Sequence, residues 1–231
     1  MASLTWLGHA AFMIESDNGK KIYVYPFLNG NPTTPEGLKQ PERVDVIALT
    51  HGHGDHVGDT VALSKAFSDL EIVCIYELKS WLGRQGANVG EIPGLNKGGS
   101  QEIDGIRFSL VNAFHTSTSD AGEYLGEPAG IVIRLESGRT IYFAGDTCVF
   151  GDMQLIRQLH QPDYVVLPIG DWFTMGPQEA AIALELLGNV TCVPSHYGTF
   201  PVLTGTPDAL LRAKPDANLH ELQPGETLEL T

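Results

Sequence analysis

Thr50-His51-Gly52-His53-Gly54-Asp55-His56 places four potential metal ligands within six residues, directly after the apolar run Val44-Asp45-Val46-Ile47-Ala48-Leu49. Imidazoles and carboxylates crowd in this way where a cation holds them, because polar groups without such a partner are costly to desolvate. Gly52 and Gly54 are expected to let the backbone turn tightly, so that neighbouring side chains converge. The spacing favours two ions over one. His51 and His53 can reach one ion from the same side, while Asp55 and His56 are displaced toward a second. A catalytic zinc-type site takes three protein ligands and keeps a position for water, so the rest of the chain must supply more. The competing reading is a solvated loop whose histidines fall there by chance, and the density of ligands weighs against it.

Each further candidate ligand follows a stretch with strand character. Val111-Asn112-Ala113-Phe114 leads to His115, Ile141-Tyr142-Phe143-Ala144-Gly145 to Asp146, and Val193-Pro194-Ser195 to His196. Functional side chains in layered α/β folds gather outside strand ends. A lone histidine there is more often a satisfied core residue; three such positions beside a glycine-rich cluster are not.

The rest of the chain reads as mixed strand and helix. Strands are predicted at 4–7, 11–15, 20–25, 44–50, 71–75, 106–114, 130–135, 140–144, 164–168 and 190–194, with the tail 219–230 extended. The Asp17-Asn18-Gly19 turn joins the second and third of these into a hairpin. Helices are predicted at 59–67, 77–84, 153–159, 177–187 and 207–213, with Pro177 at a favoured first-turn position. Such mixing implies an α/β layered domain. With no linker, repeat or low-complexity stretch in the 231 residues, one domain over 1–231 is the simplest organisation.

Composition narrows the function classes. With 14 basic and 28 acidic residues the net charge is −14, which opposes extended nucleic-acid binding. No apolar run approaches the ~20 residues that span a bilayer. Met1-Ala2-Ser3-Leu4-Thr5-Trp6 lacks the basic-then-apolar pattern of a secretory signal. Cys74, Cys148 and Cys192 are odd in number and form no C-x-x-C pair, as expected of reduced thiols in a cytoplasmic protein. The expected partner is a small-molecule substrate, with no nucleic acid and no membrane; a homo-oligomer is compatible with the pattern.

The series His51-x-His53-x-Asp55-His56, then His115, Asp146 and His196, resembles the ordered ligands of the metallo-β-lactamase superfamily. Trp6-Leu7-Gly8-His9-Ala10, Leu125-Gly126-Glu127-Pro128-Ala129-Gly130, Phe150-Gly151-Asp152-Met153, Phe173-Thr174-Met175-Gly176-Pro177 and His196-Tyr197-Gly198-Thr199-Phe200-Pro201 extend the likeness nearly end to end. Together they are similar to a small bacterial and archaeal subgroup of metal-dependent hydrolases, relatives of the ascorbate-6-phosphate lactonases. The resemblance implies a four-layer αβ/βα sandwich with the site at one edge of two sheets. It implies that His51, His53 and His115 hold one metal, that Asp55, His56 and His196 hold a second, and that Asp146 bridges them. The imidazole–carboxylate mixture suits Zn first, with Mn, Fe and Ni also allowed. Two ions roughly 3.5–4 Å apart can share a hydroxide at neutral pH, which would attack a small ester, lactone or phosphodiester. Asp55 is expected to orient that hydroxide.

By the same resemblance His9 belongs at the rim, touching substrate or a ligand, against the alternative of a buried histidine bonded to backbone. Tyr197 and Thr199 are candidates to donate to substrate, with packing as the competing role. Gly176 and Pro177 open a helix that can receive an anion or simply be capped. Cys148 lies two residues after Asp146 without a required role, and His160 and His220 fall outside the motifs. Tyr25 is the departure. At Val24-Tyr25-Pro26 the family pattern has Asp before Pro, and that carboxylate ordinarily supports the ligand loop, at a cost of about 10–100-fold when lost. Two other functional classes follow. The diiron reductases of the superfamily carry Glu where His53 stands, which disfavours that redox chemistry, whereas iron-dependent thioester or persulfide enzymes share the pattern. A metal-binding protein of reduced activity is motivated by Tyr25 alone.

Overall fold

Alternating apolar residues dictate two sheets stacked face to face. The computed structural model describes residues 1–231. The first sheet is built from β1 (Ser3–Gly8), β2 (Ala11–Glu15), β3 (Lys21–Val24), β4 (Val46–Ala48), β5 (Glu71–Val73) and β12 (Thr227–Glu229), in the order β12-β1-β2-β3-β4-β5. The second holds β6 (Ser100–Ile103), β7 (Ile106–Asn112), β8 (Ala129–Arg134), β9 (Thr140–Phe143), β10 (Tyr164–Pro168) and β11 (Thr191–Ser195), in the order β11-β10-β9-β8-β7-β6.

Period-two burial sorts the second sheet's side chains between two cores. Phe108, Leu110, Ile131, Ile133, Ile141, Phe143 and Val166 join the first sheet's core. Their alternates Val111, Val132, Tyr142, Val165 and Leu167 pack with α4 (Met153–His160), α5 (Pro177–Leu187) and α6 (Pro207–Ala213). Leu63 of α2 (Thr60–Ala66) and Leu78 and Leu82 of α3 (Tyr76–Arg84) cover the first sheet. The result is the four-layer αβ/βα sandwich. Phe12 and Phe143 meet edge-on between the sheets, ring centroids 5.8 Å apart.

Strand direction positions the site. In the first sheet β1, β3 and β4 run one way, because β2 is antiparallel to β1 and β3 while β4 is parallel to β3. In the second sheet β7, β9 and β11 are likewise co-directional, with antiparallel β8 between β7 and β9, and parallel β10 between β9 and β11. The residues just past these six strands include His9, Tyr25, His51, His115, Asp146 and His196.

The predicted hairpin is the β2–β3 pair, registered from Phe12↔Val24 to Glu15↔Lys21. Three expectations need correction. The strand expected over 44–50 is confined to Val46–Ala48, where β3 and β5 flank it, and the residues beyond leave the ladder to carry ligands. The tail 219–230 is extended in the ladder only at β12; Leu219 makes one isolated bridge to Cys192. Strand β6 and the short helix α1 (Gly54–Val57) were not predicted, since Ser100-Gln101-Glu102-Ile103 is polar and α1 lies inside the ligand motif. The three cysteines are free, Cys74 and Cys192 buried and Cys148 exposed. No helix is long and apolar enough to cross a membrane.

Candidate metal centre

His51 is the third residue past β4, and its neighbours continue into α1, of which His53 is the N-cap. Asp55 and His56 are consecutive in this helix, so their side chains diverge by about 100° and approach one point from different directions. Gly52 and Gly54 do not need left-handed backbone, since neither has positive φ. A Cβ on Gly52 would lie 2.4 Å from Leu125 Cδ1, so the absence of a side chain lets the loop pack against the β7–β8 connection.

Three non-glycine residues at the site hold left-handed backbone, each immediately past a strand: His9 (φ 54°), Tyr25 (φ 53°) and His196 (φ 55°). Such conformations cost roughly 1–3 kcal/mol each and persist where surrounding structure over-determines them. The His196 amide donates to the His9 carbonyl at 3.0 Å, which ties the two sheets together at the site. On the other side, a Cβ on Gly170 would lie 2.0 Å from the His196 carbonyl oxygen. Gly170→Ala is therefore expected to destabilise the protein by roughly 1–3 kcal/mol and to weaken metal binding as the His196 loop shifts. Urea unfolding with metal titration tests it; unchanged stability and affinity would show that the loop yields freely.

The seven candidate ligands converge as two groups sharing one carboxylate. His51, His53, His115 and Asp146 bring their ligand atoms within 4.8 Å of one another, and so do Asp55, His56, Asp146 and His196. His51 Nε2 lies 3.1 Å from His53 Nδ1. Asp146 Oδ2 lies 3.8, 3.5 and 3.3 Å from Nε2 of His51, His115 and His196, and its Oδ1 is 3.2 Å from His56 Nε2. The edge of a tetrahedron with metal–ligand bonds near 2.0–2.1 Å is about 3.3 Å, so these separations fit donors arranged around cations.

The hydrogen bonding makes the same point. Both ring nitrogens of His56 and Nδ1 of His196 are buried without a hydrogen-bond partner. His56 Nε2 is close to Asp146 but misaligned for a hydrogen bond. Buried polar groups are rarely left so, and a cation between these atoms would satisfy the ligating nitrogens. The His/Asp cluster is thus able to bind metal.

Electrostatics follow from this crowding. Burial opposes ionisation of Asp146, yet His196 and His56 hold its carboxyl well below the usual range. Asp55 is likewise depressed: burial opposes ionisation, and His56, His196 and His9 outweigh it. Burial pushes His51 well below 6.5, and lowers His9, His53 and His115. His196 goes the other way; burial lowers it, but Asp146 and Asp55 raise it to about 10.

Stability of the chelated protein should follow these directions. The four lowered histidines contribute stability present above 6.5 and lost as pH falls below it, because the unfolded chain then binds more protons. The contribution of His196 is full below 6.5 and lost as pH rises toward about 10. Melting in EDTA at about pH 5, 7 and 9 should therefore give the highest Tm near neutrality and the steeper loss on the acid side. A Tm that climbs steadily into alkali would contradict the ionisation states assigned here.

His9 is not at the rim. It is fully buried, its Nε2 is 2.9 Å from Asp55 Oδ2 and its Nδ1 is 3.0 Å from Thr199 Oγ1. Nε2 faces the Asp55 carboxylate as donor, while Nδ1 pairs with the Thr199 hydroxyl, which also reaches the Tyr197 carbonyl at 3.3 Å. Its partners are side chains rather than backbone, so His9 positions Asp55. Thr199 is correspondingly occupied with His9, and Tyr197 stacks on Trp6 with centroids 5.3 Å apart, a packing role. Tyr25 is buried with its ring 4.5 Å from that of His56, and its hydroxyl has no well-formed hydrogen bond although Thr50 is near. Burial drives the Tyr25 phenol far above its ordinary value. Gly176 is the N-cap of α5 without a side-chain cap. His160 and His220 belong to neither ligand group, and Cys148 is exposed.

Five of the ligands, His53, Asp55, His115, Asp146 and His196, line a cavity of about 570 Å³ to which Thr116, Asp120, Phe173 and Phe200 also contribute. Sequence reasoning missed Asp120, Phe173 and Phe200 as site residues; Phe173 and Phe200 lie inside motifs quoted above, whereas Asp120 carries no local signal. A larger cavity, about 740 Å³ between α4 and α5, contains no imidazole.

A family model described as the beta-lactamase superfamily domain matches residues 17–197. The chain is similar to a UPF0173 metal-dependent hydrolase of Herpetosiphon aurantiacus, 43% identical over 97% of this chain and 96% of the relative. A UPF0173 metal-dependent hydrolase of Methanosarcina barkeri is 41% identical over 98% of each chain. The solved structure of Igni18, a metallo hydrolase from Ignicoccus hospitalis, aligns with TM-score 0.86 at 32% identity, covering 98% of this chain and 97% of that one. The two stacked sheets, the His/Asp cluster at their common edge and these relatives lead to one conclusion: the chain belongs to the metallo-β-lactamase superfamily, among its metal-dependent hydrolases.

Proposed function

We propose that this enzyme holds two divalent ions and uses water to hydrolyse a small ester, lactone or phosphodiester. The observation that carries the reading is Asp146, whose carboxylate belongs to both ligand groups. Zinc is the first choice for the donor set, with Mn, Fe and Ni as competitors. Bound there, such ions supply positive charge for a developing oxyanion and make water nucleophilic near neutral pH.

The chain's own groups hold the reacting parts in place. Asp55 is the ligand carboxylate that opens to the cavity, its side chain 27% exposed against 4% for Asp146. It accepts a hydrogen bond from the attacking water and fixes its direction, the kind of orientation that lowers a barrier by pre-ordering the reactants. His9 Nε2 donates to Asp55 Oδ2 and restrains the carboxylate's rotation. The dry wall beneath the ligands, including Tyr25 and Phe143, strengthens each of these charge interactions.

Chelator-stripped protein should lose turnover on a panel of esters, lactones and phosphodiesters and regain it with zinc. Asp55→Ala should lower kcat by roughly 10²-fold or more, the loss that follows when a reacting group is no longer held in place. Full turnover after stripping would remove the metal from the reaction. Bound iron with oxygen uptake would instead favour the redox class.

A further inference from the structure

The aromatic and anionic character of the cavity mouth bears on substrate class. Phe173, from the connection between β10 and α5, is 53% exposed, and Phe200, from the connection between β11 and α6, is 38% exposed. Both line the cavity over the ligands. Phe200 also packs edge-on against His9, ring centroids 5.3 Å apart, so it is anchored while presenting apolar surface to a ligand. Exposed aromatic rings around a polar centre are what a site uses to hold the non-reacting, apolar part of a small molecule.

The charges point the same way. Asp120 is exposed at the mouth, lies beside Gly54 and has no cationic side chain within 4.0 Å. No lysine or arginine lines the cavity. The adjoining cavity, about 490 Å³ and sharing His115 and Thr116, contains Lys97, but Glu127 and Asn112 already hold that ammonium. Two divalent ions would bring four positive charges, of which Asp55 and Asp146 cancel two and Asp120 a third. Little positive field remains for an additional anionic group on the substrate.

We propose that the cavity selects an uncharged ester or lactone carrying an aromatic or branched alkyl group against Phe173 and Phe200, and that it disfavours substrates bearing an extra phosphate or carboxylate. This rests on the hydrolase reading and narrows it toward carbonyl chemistry. Attack of water on the carbonyl carbon breaks the acyl C–O bond; the leaving oxygen gains one proton of that water, and the acid product carries the hydroxyl.

The test compares matched aryl lactones on the zinc-loaded full chain, one neutral and one with a phosphate on the ring remote from the scissile bond. The neutral lactone should have a kcat/KM at least about tenfold higher, because the added phosphate meets the Asp120 carboxylate and no lysine or arginine. Asp120→Lys should narrow that ratio by about tenfold. The pair Phe173→Ser and Phe200→Ser should raise KM for the aryl lactone about tenfold more than for an unsubstituted lactone. Equal kcat/KM for the two aryl lactones, or equal KM changes for aryl and unsubstituted lactones, would overturn the proposal. Should neither lactone turn over, lactone hydrolysis falls as the reaction while the metal-dependent hydrolase family stands, and the selectivity is decided separately by calorimetry with the corresponding lactams. At least about tenfold tighter binding of the neutral lactam supports it, and equal or reversed binding overturns it.

Discussion

Asp146→Ala is expected to disturb both metal positions at once and to cut turnover by roughly 10²–10³-fold or more, at least the loss seen when one charge-stabilising donor is removed. No other side chain at the centre belongs to both ligand groups. Its carboxylate lies among four imidazoles, with Oδ2 facing His51, His115 and His196 and Oδ1 facing His56. His115→Ala removes one ligand from one group and should leave the other position able to fill, so its metal content separates it from Asp146→Ala. Metal analysis after dialysis distinguishes the two. Two tightly held equivalents in Asp146→Ala would mean that the carboxylate does not join the positions. Burial lowers His196 while Asp146, together with Asp55, raises it to about 10, so removing Asp146 should also return His196 toward lower values. Imidazole NMR reads that change without relying on activity.

The second large effect is expected at Tyr25. A ligating histidine ordinarily donates its other ring N–H to an acceptor, and losing such a partner costs about 10–100-fold in metal affinity or activity. Here Nδ1 of His56 has no acceptor and the Tyr25 ring lies against that imidazole. Tyr25→Asp should supply the acceptor that the family pattern leads one to expect, and tighten metal at the Asp55–His56–His196 position by about tenfold or more. The position built on His51, His53 and His115 should change far less. Tyr25→Phe is the companion. It removes a buried hydroxyl without a good partner, an unmet group that costs about 1–3 kcal/mol, so stability should hold or rise while metal affinity stays put. Calorimetric zinc titration on all three proteins reads both results. Affinity unchanged in Tyr25→Asp would show that His56 needs no such support.

The site was more legible in the sequence than the backbone around it. The ligand series follows from residue types that rarely crowd without a cation, and the predicted strands before His115, Asp146 and His196 end at one edge of the fold. Helices α5 and α6 begin at Pro177 and Pro207 and run to Leu187 and Ala213, as proline and apolar spacing predict. By contrast β6 escaped notice because it is a polar strand at the edge of its sheet, held by pairing with β7 rather than by an apolar pattern. The tail looked uniformly extended because alternation says nothing about which residues find a ladder partner. His9 looked like a rim residue since its motif carries no depth information; depth is set by β1 passing under the His196 loop, a contact between residues 187 positions apart. Asp120, at the mouth, sits in a loop with no periodic or motif signal.

The central claim is that these side chains hold two cations. Calorimetric titration of chelator-stripped protein with zinc tests it most directly, and the expected result is two equivalents per chain. Saturation at one equivalent, or binding that survives loss of both Asp146 and His115 unchanged, would contradict it.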